Sequence, residues 1–130
     1  MANQLAFASV APYTGSALVS ATANTAWSSP GSTGQATIFT ASANGAKIDQ
    51  LDVVMLNTGV SGFLLIWRWV GGTCTTYELV DCIAVATTMA QGGVYSFTYA
   101  NLQLNPSDAL TVTSTVASQP AQVNAYGGCY

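Results

Sequence analysis

Along this chain, apolar positions recur mostly at the two-residue interval of extended structure, and turn residues interrupt them repeatedly. The interruptions are Asn44-Gly45, Asn57-Thr58-Gly59, Gly71-Gly72, Gly92-Gly93, Asn105-Pro106-Ser107-Asp108, Gln119-Pro120 and Gly127-Gly128. Glycine there supplies positive φ, proline a preset φ, and Asn, Asp or Ser a local side-chain hydrogen bond. Between the turns run segments rich in Val, Ile, Thr, Tyr, Phe and Trp, side chains that suit a pleated surface. No stretch sustains a helical period. The pattern predicts strands at 6–10, 16–21, 35–40, 47–57, 62–70, 75–86, 93–99, 109–116 and 122–126, with a long loop at 23–34. About eight strands with regular turns predict a single all-β domain over 1–130: an antiparallel β-sandwich, jelly-roll-like, with an amino-terminal arm at about 1–15.

The segment 62–70 sharpens this picture. Strand alternation places Phe63, Leu65, Trp67 and Trp69 on one face and Leu64, Ile66, Arg68 and Val70 on the other. Burying the aromatic face is worth on the order of 6 to 12 kcal/mol, comparable with the net stability of a domain, so that face is expected in the core. A two-layer sandwich should then turn the second face to water, yet that face is apolar apart from Arg68. The segment 47–57 poses the same problem, with Leu51, Val53 and Met55 opposite Val54 and Leu56. The surface expected to meet another subunit is therefore Leu64, Ile66, Arg68 and Val70 together with Val54 and Leu56, with cover by a loop or the amino-terminal arm as the alternative.

Composition narrows the class of function. Half of the 130 residues are apolar and only 5% are charged, against about 25% charged in ordinary soluble domains. No run reaches the length of a membrane-spanning helix, and the start MANQLAFASV lacks the basic and long apolar segments of a secretory signal, so any exit from the cell is expected to take another route, such as lysis. Lys47 and Arg68 are the only cations in a net charge of -3, too few to bind nucleic-acid phosphates. Cys74, Cys82 and Cys129 are an odd set. A continuous strand would hold Cys74 and Cys82 about 26 Å apart, beyond disulfide reach. They read as reduced, buried thiols, with a bond between chains through Cys129 as the alternative.

Candidate chemistry is sparse. The chain has no histidine, which removes the usual general base and the commonest metal ligand. Asp49 with Asp52, and Glu78 with Asp81, have spacings that send strand carboxylates to opposite faces, unlike a glycosidase pair. Neither the cysteines nor the carboxylates match a zinc or calcium pattern, and no glycine loop is built to hold phosphate. A non-enzymatic protein without cofactor or metal is the expectation. Thr111, Thr113 and Thr115 read as the face of an edge or solvent-facing strand. Of the aromatic residues, Trp27 in the predicted loop is the candidate for stacking on a carbohydrate.

The segments MANQLAFASVAPYTGSA, FTASANGAKIDQLDVVMLNTG, LQLNPSDALTVTST and VNAYGGCY resemble small virion proteins of tailed phages, the capsid decoration or cement proteins. The resemblance implies a jelly-roll-like sandwich on the outer capsid surface. There, dimers or trimers of the chain would clamp neighbouring major capsid protein subunits. It carries no catalytic residues. A phage tail or receptor-binding, carbohydrate-binding sandwich module shares the same features and is the alternative.

Overall fold

A computed structural model describes residues 11–31, 33–70 and 76–130. It contains eight strands: β1 (Ala11–Leu18), β2 (Ala36–Thr40), β3 (Ala46–Met55), β4 (Gly62–Trp69), β5 (Tyr77–Val85), β6 (Val94–Leu104), β7 (Ala109–Ser114) and β8 (Ala121–Cys129). The strand expected at 6–10 lies outside the described residues. The other expected strands each have a counterpart, although β1 begins at Ala11 rather than 16 and β6 runs on to Leu104 rather than 99.

Pairing is nested and antiparallel: β1 with β8, β2 with β7, β3 with β6 and β4 with β5. Lateral pairs β3–β8 and β4–β7 join these into two four-stranded sheets, a first of order β1-β8-β3-β6 and a second of order β2-β7-β4-β5. A long hairpin folded over on itself has this order, which is the jelly roll. The fold is therefore the all-β sandwich that the alternation predicts.

Between the sheets, Ile48, Leu51, Val53 and Met55 of β3 and Val123 and Ala125 of β8 share one apolar cluster with Leu64 and Ile66 of β4, Ile83 and Val85 of β5, and Leu110 and Val112 of β7. Each such aliphatic side chain stabilises the fold by about 1.5 to 3 kcal/mol when fully buried. In β2 the neighbours Ile38 and Phe39 are both buried. Its register on β7 shifts between Thr37 and Phe39, and a bulge of this kind lets successive side chains escape strict alternation.

The two long sides of the sandwich close differently. On one, β1 approaches β2 so tightly that a β-carbon on Gly15 would stand 2.2 Å from the Ile38 carbonyl oxygen. On the other, side-chain hydrogen bonds tie β5 and β4 to β6. The Tyr99 hydroxyl donates to Asp81 Oδ2 at 2.6 Å, and the Arg68 guanidinium donates to the Gln103 carbonyl at 3.2 Å. Burial, and then the bond to Asp81 and its charge, hold the Tyr99 phenol well above its ordinary value.

The structure exchanges the expected faces of β4. Leu64 and Ile66, expected to meet a partner, are fully buried between the sheets. Leu65 and Trp67 point to the outer side of the second sheet, where they too are fully buried. The partner strands decide this orientation, because Ile66 sits beside Val112 and Trp67 beside Thr111, and β7 presents Leu110 and Val112 to the core. Thr111 and Thr113 are correspondingly buried on a central strand rather than lying on an edge or facing solvent. Thr113 accepts a hydrogen bond from Trp67 Nε1 at 2.9 Å, whereas the buried Thr111 hydroxyl and Trp69 indole N–H have no hydrogen-bond partner among the described residues. The Tyr77 ring packs edge-on to Trp67 at 6.5 Å and stacks on Trp69 at 6.4 Å.

Candidate interaction surface

The connections 19–35, 56–61, 86–93 and 115–120 all lie at one end of the sandwich. Of the nine large apolar side chains exposed among the described residues, six belong to this end: Leu18, Trp27, Leu56, Val60, Phe63 and Val94. An isolated exposed leucine needs no explanation, but apolar side chains gathered on one surface mark a place of association.

Backbone and side-chain hydrogen bonds hold the loops of this end in place. Buried Asn24 organises the longest of them: its backbone N–H donates to the Ser114 carbonyl at 2.7 Å, its Nδ2 donates to the carbonyls of Pro30 and Thr33 at 2.7 Å each, and its Oδ1 accepts from the Ala26 N–H at 3.0 Å. This fixes the chain just before Trp27, whose ring packs edge-on against Phe63 at 5.4 Å while 47% of the residue stays exposed. Gln119 clamps the next loop, accepting from the Val60 N–H at 2.9 Å and donating to the Val60 carbonyl at 2.6 Å. Phe63 and Thr115 are joined twice, by Phe63 N–H to Thr115 Oγ1 and Thr115 N–H to the Phe63 carbonyl, each at 3.0 Å. The exposed apolar groups therefore stand on an ordered base, and order of this kind lowers the entropy that association at a surface costs.

Only part of the surface expected from sequence belongs here. Val54 is half-buried beside Val94, and Leu56 is exposed just beyond β3. Leu64 and Ile66 lie in the core, as described. Arg68 is engaged within the chain, paired with Glu78 and bonded to the Gln103 carbonyl. Val70 is half-buried at the opposite end, where its N–H donates to the Thr76 carbonyl. Trp27 is exposed, as a stacking residue must be. Sequence reasoning missed Leu18, Val60, Phe63 and Val94. The available signal was their position next to turns, where strand ends and loops of a sandwich converge.

The remaining polar groups are spread over the molecule. Lys47 pairs with Asp49 at 3.3 Å, Asp52 accepts from Gln50 at 2.7 Å, and Asp81 accepts from Tyr99 and from the Cys82 N–H. Asp108, buried, accepts from the Asn105 N–H at 3.0 Å in the turn before β7. Among the described residues no three His, Cys, Asp or Glu side chains gather as a metal site would require. Cys74 lies outside the described residues. Cys129 is a half-buried free thiol, whereas Cys82 is exposed rather than buried, because it occupies the outward position on edge strand β5 opposite Leu65. Desolvation, and then the neighbouring Asp81 charge, raise the Cys82 thiol above its ordinary value, which keeps it in the less reactive protonated form.

No protein-family model matches the chain, and no curated protein is significantly similar to it. Among solved structures, a chain from work described as "Bacillus endospore appendages form a novel family of disulfide-linked pili" aligns over 93% of this chain and 91% of its own length, with 18% identity and a TM-score of 0.43.

Proposed function

We propose that this protein is a non-catalytic assembly subunit, a small jelly roll that associates with copies of itself and attaches to a larger shell as a capsid decoration protein does. The observation that carries this reading is the apolar end: Leu18, Trp27, Leu56, Val60, Phe63 and Val94 are exposed on loops and strand ends that are themselves held by hydrogen bonds. The central strand no longer contributes, because both faces of its middle are covered within one chain. Strand β6 adds a second feature. It runs from Val94 to Leu104 without a charge or a proline, and its outer edge pairs with no described strand. Natural edge strands are usually blunted by charges, proline, bulges or short length, so the uncharged stretch from Val94 to Thr98, before the register shift opposite Asp49, favours strand addition. The sequence resemblance supplies the shell partner, the major capsid protein, and the location on the outer surface of a virion.

Sedimentation of the purified protein tests self-association. The wild type is expected to sediment as a dimer or trimer, and the double variant Leu18→Glu, Val94→Glu as a folded monomer. A wild type that stays monomeric at high micromolar concentration would overturn the self-association part. For the shell, particles depleted of the protein are expected to release DNA at a lower temperature and to recover when it is added back. Because apolar contacts dominate, attachment should change little with ionic strength. Unchanged heat release from depleted particles, or detachment at moderate salt, would count against decoration.

A further inference from the structure

The outward side of the first sheet is polar over much of its width. Strand register sets its side chains in lateral rows across β1, β8, β3 and β6. One row is Ser16, Asn124, Asp52 and Ser96, and the next is Thr14, Tyr126, Gln50 and Thr98. These two rows hold no aliphatic side chain and no cation, and Asp52 is their only charge. A third row, Leu18, Gln122, Val54 and Val94, borders them on the side of the apolar end.

Two features set this face apart from a plain wetted surface. Thr14, Gly15, Ser16, Asn124 and Tyr126 line an open depression of about 250 Å³, in which small β1 residues lie beside the taller Asn124 and the 38%-exposed Tyr126. The polar groups are also pre-oriented. Gln50 Nε2 donates to Asp52 Oδ1 at 2.7 Å, and Gln122 Nε2 donates to Asn124 Oδ1 at 2.8 Å. Those bonds leave the second Asp52 oxygen as an acceptor and the Asn124 amide N–H groups as donors, with no partner among the described residues.

A neutral sugar matches this arrangement. Its hydroxyls both donate and accept, and its C–H faces pack on an aromatic ring. A shallow depression with one ring and a few placed polar groups supplies both interactions. Anionic polymers find no cation within these two rows, where Asp52 repels them, and Lys47 in the row beyond is paired with Asp49. We propose that this face binds a neutral oligosaccharide, stacked on Tyr126 and bonded through its hydroxyls to Asn124, Asp52, Ser16 and Thr14. The site uses neither the apolar end nor the edge of β6, so it stands or falls separately from the assembly reading.

Titration of 15N-labelled protein with cellotriose, maltotriose, lactose and N,N',N''-triacetylchitotriose at millimolar concentration tests the site, with tri-galacturonic acid as the anionic control. Saturable shifts centred on the amides of Ser16, Asp52, Asn124 and Tyr126 are expected with at least one neutral probe. Tyr126→Ala should weaken that binding about tenfold or more, the scale of a lost stacking contact of roughly 1.4 kcal/mol, while Tyr126→Phe retains it. Asn124→Ala should also weaken it, and Trp27→Ala should leave it unchanged. The proposal fails if none of the neutral probes gives saturable shifts, if the shifts survive in Tyr126→Ala, or if the galacturonic trimer binds as well as the neutral sugars.

Discussion

The two sheets of this sandwich share one core, yet their outer sides are opposites. In the first sheet β3 alternates cleanly beyond its bulge at Asp49, with Leu51, Val53 and Met55 buried while Gln50, Asp52 and Val54 face outward. In the second sheet alternation brings no relief: Leu64, Leu65, Ile66 and Trp67 are consecutive and fully buried, and all six residues of β7 are buried. A strand that is apolar on both faces therefore signals cover, and here most of that cover is internal. Tyr77 packs over Trp67 and Trp69, while Trp27 packs on Phe63. What remains for a partner is the end of the molecule and the edge of β6, not the middle of β4.

Trp67→Ala is the strongest way to break the comparison. It removes a fully buried ring and its bond to Thr113 and should destabilise by about 3 to 5 kcal/mol in denaturant unfolding. A loss below about 1 kcal/mol, typical of surface substitutions, would mean that the outside of the second sheet is as open as that of the first. Gly15→Ala comes next, because its β-carbon meets backbone rather than a flexible side chain. It should destabilise by about 3 kcal/mol, at the upper end of overpacking costs.

Tyr99→Phe tests the tie between the sheets and should cost about 1 kcal/mol near neutral pH, the net worth of one hydrogen bond. It also carries a pH signature. The folded phenol holds its proton after the unfolded one, near its ordinary value of about 10, has released it. The wild type therefore keeps this stability below pH about 10 and loses it as the pH rises further towards the folded phenol's titration. In Tyr99→Phe that share of the alkaline loss should disappear from urea-melt profiles. The smallest effect belongs to the polar rows: Ser96→Ala and Thr98→Ala should each stay within about 0.5 kcal/mol of wild type.

Much of this protein could be read from its residues. Turn chemistry located the β2–β5, β7 and β8 segments, and the two-residue alternation divided β3 into Leu51, Val53 and Met55, which are buried, and an opposite face on which Val54 is half-buried. The lack of histidine and the scarcity of cations narrowed the candidate chemistry before any fold was known. The orientation of β4 could not be read in this way, since both of its faces favour burial by similar amounts and a strand's own sequence contains nothing to break the tie. The register with β7 breaks it, by setting Val112 beside Ile66 and Thr111 beside Trp67. Tertiary structure alone also brought Leu18, Trp27, Phe63 and Val94 to one end and set Asn124 between Ser16 and Asp52. Such neighbours lie far apart along the chain, and only the nesting of the jelly roll brings them together.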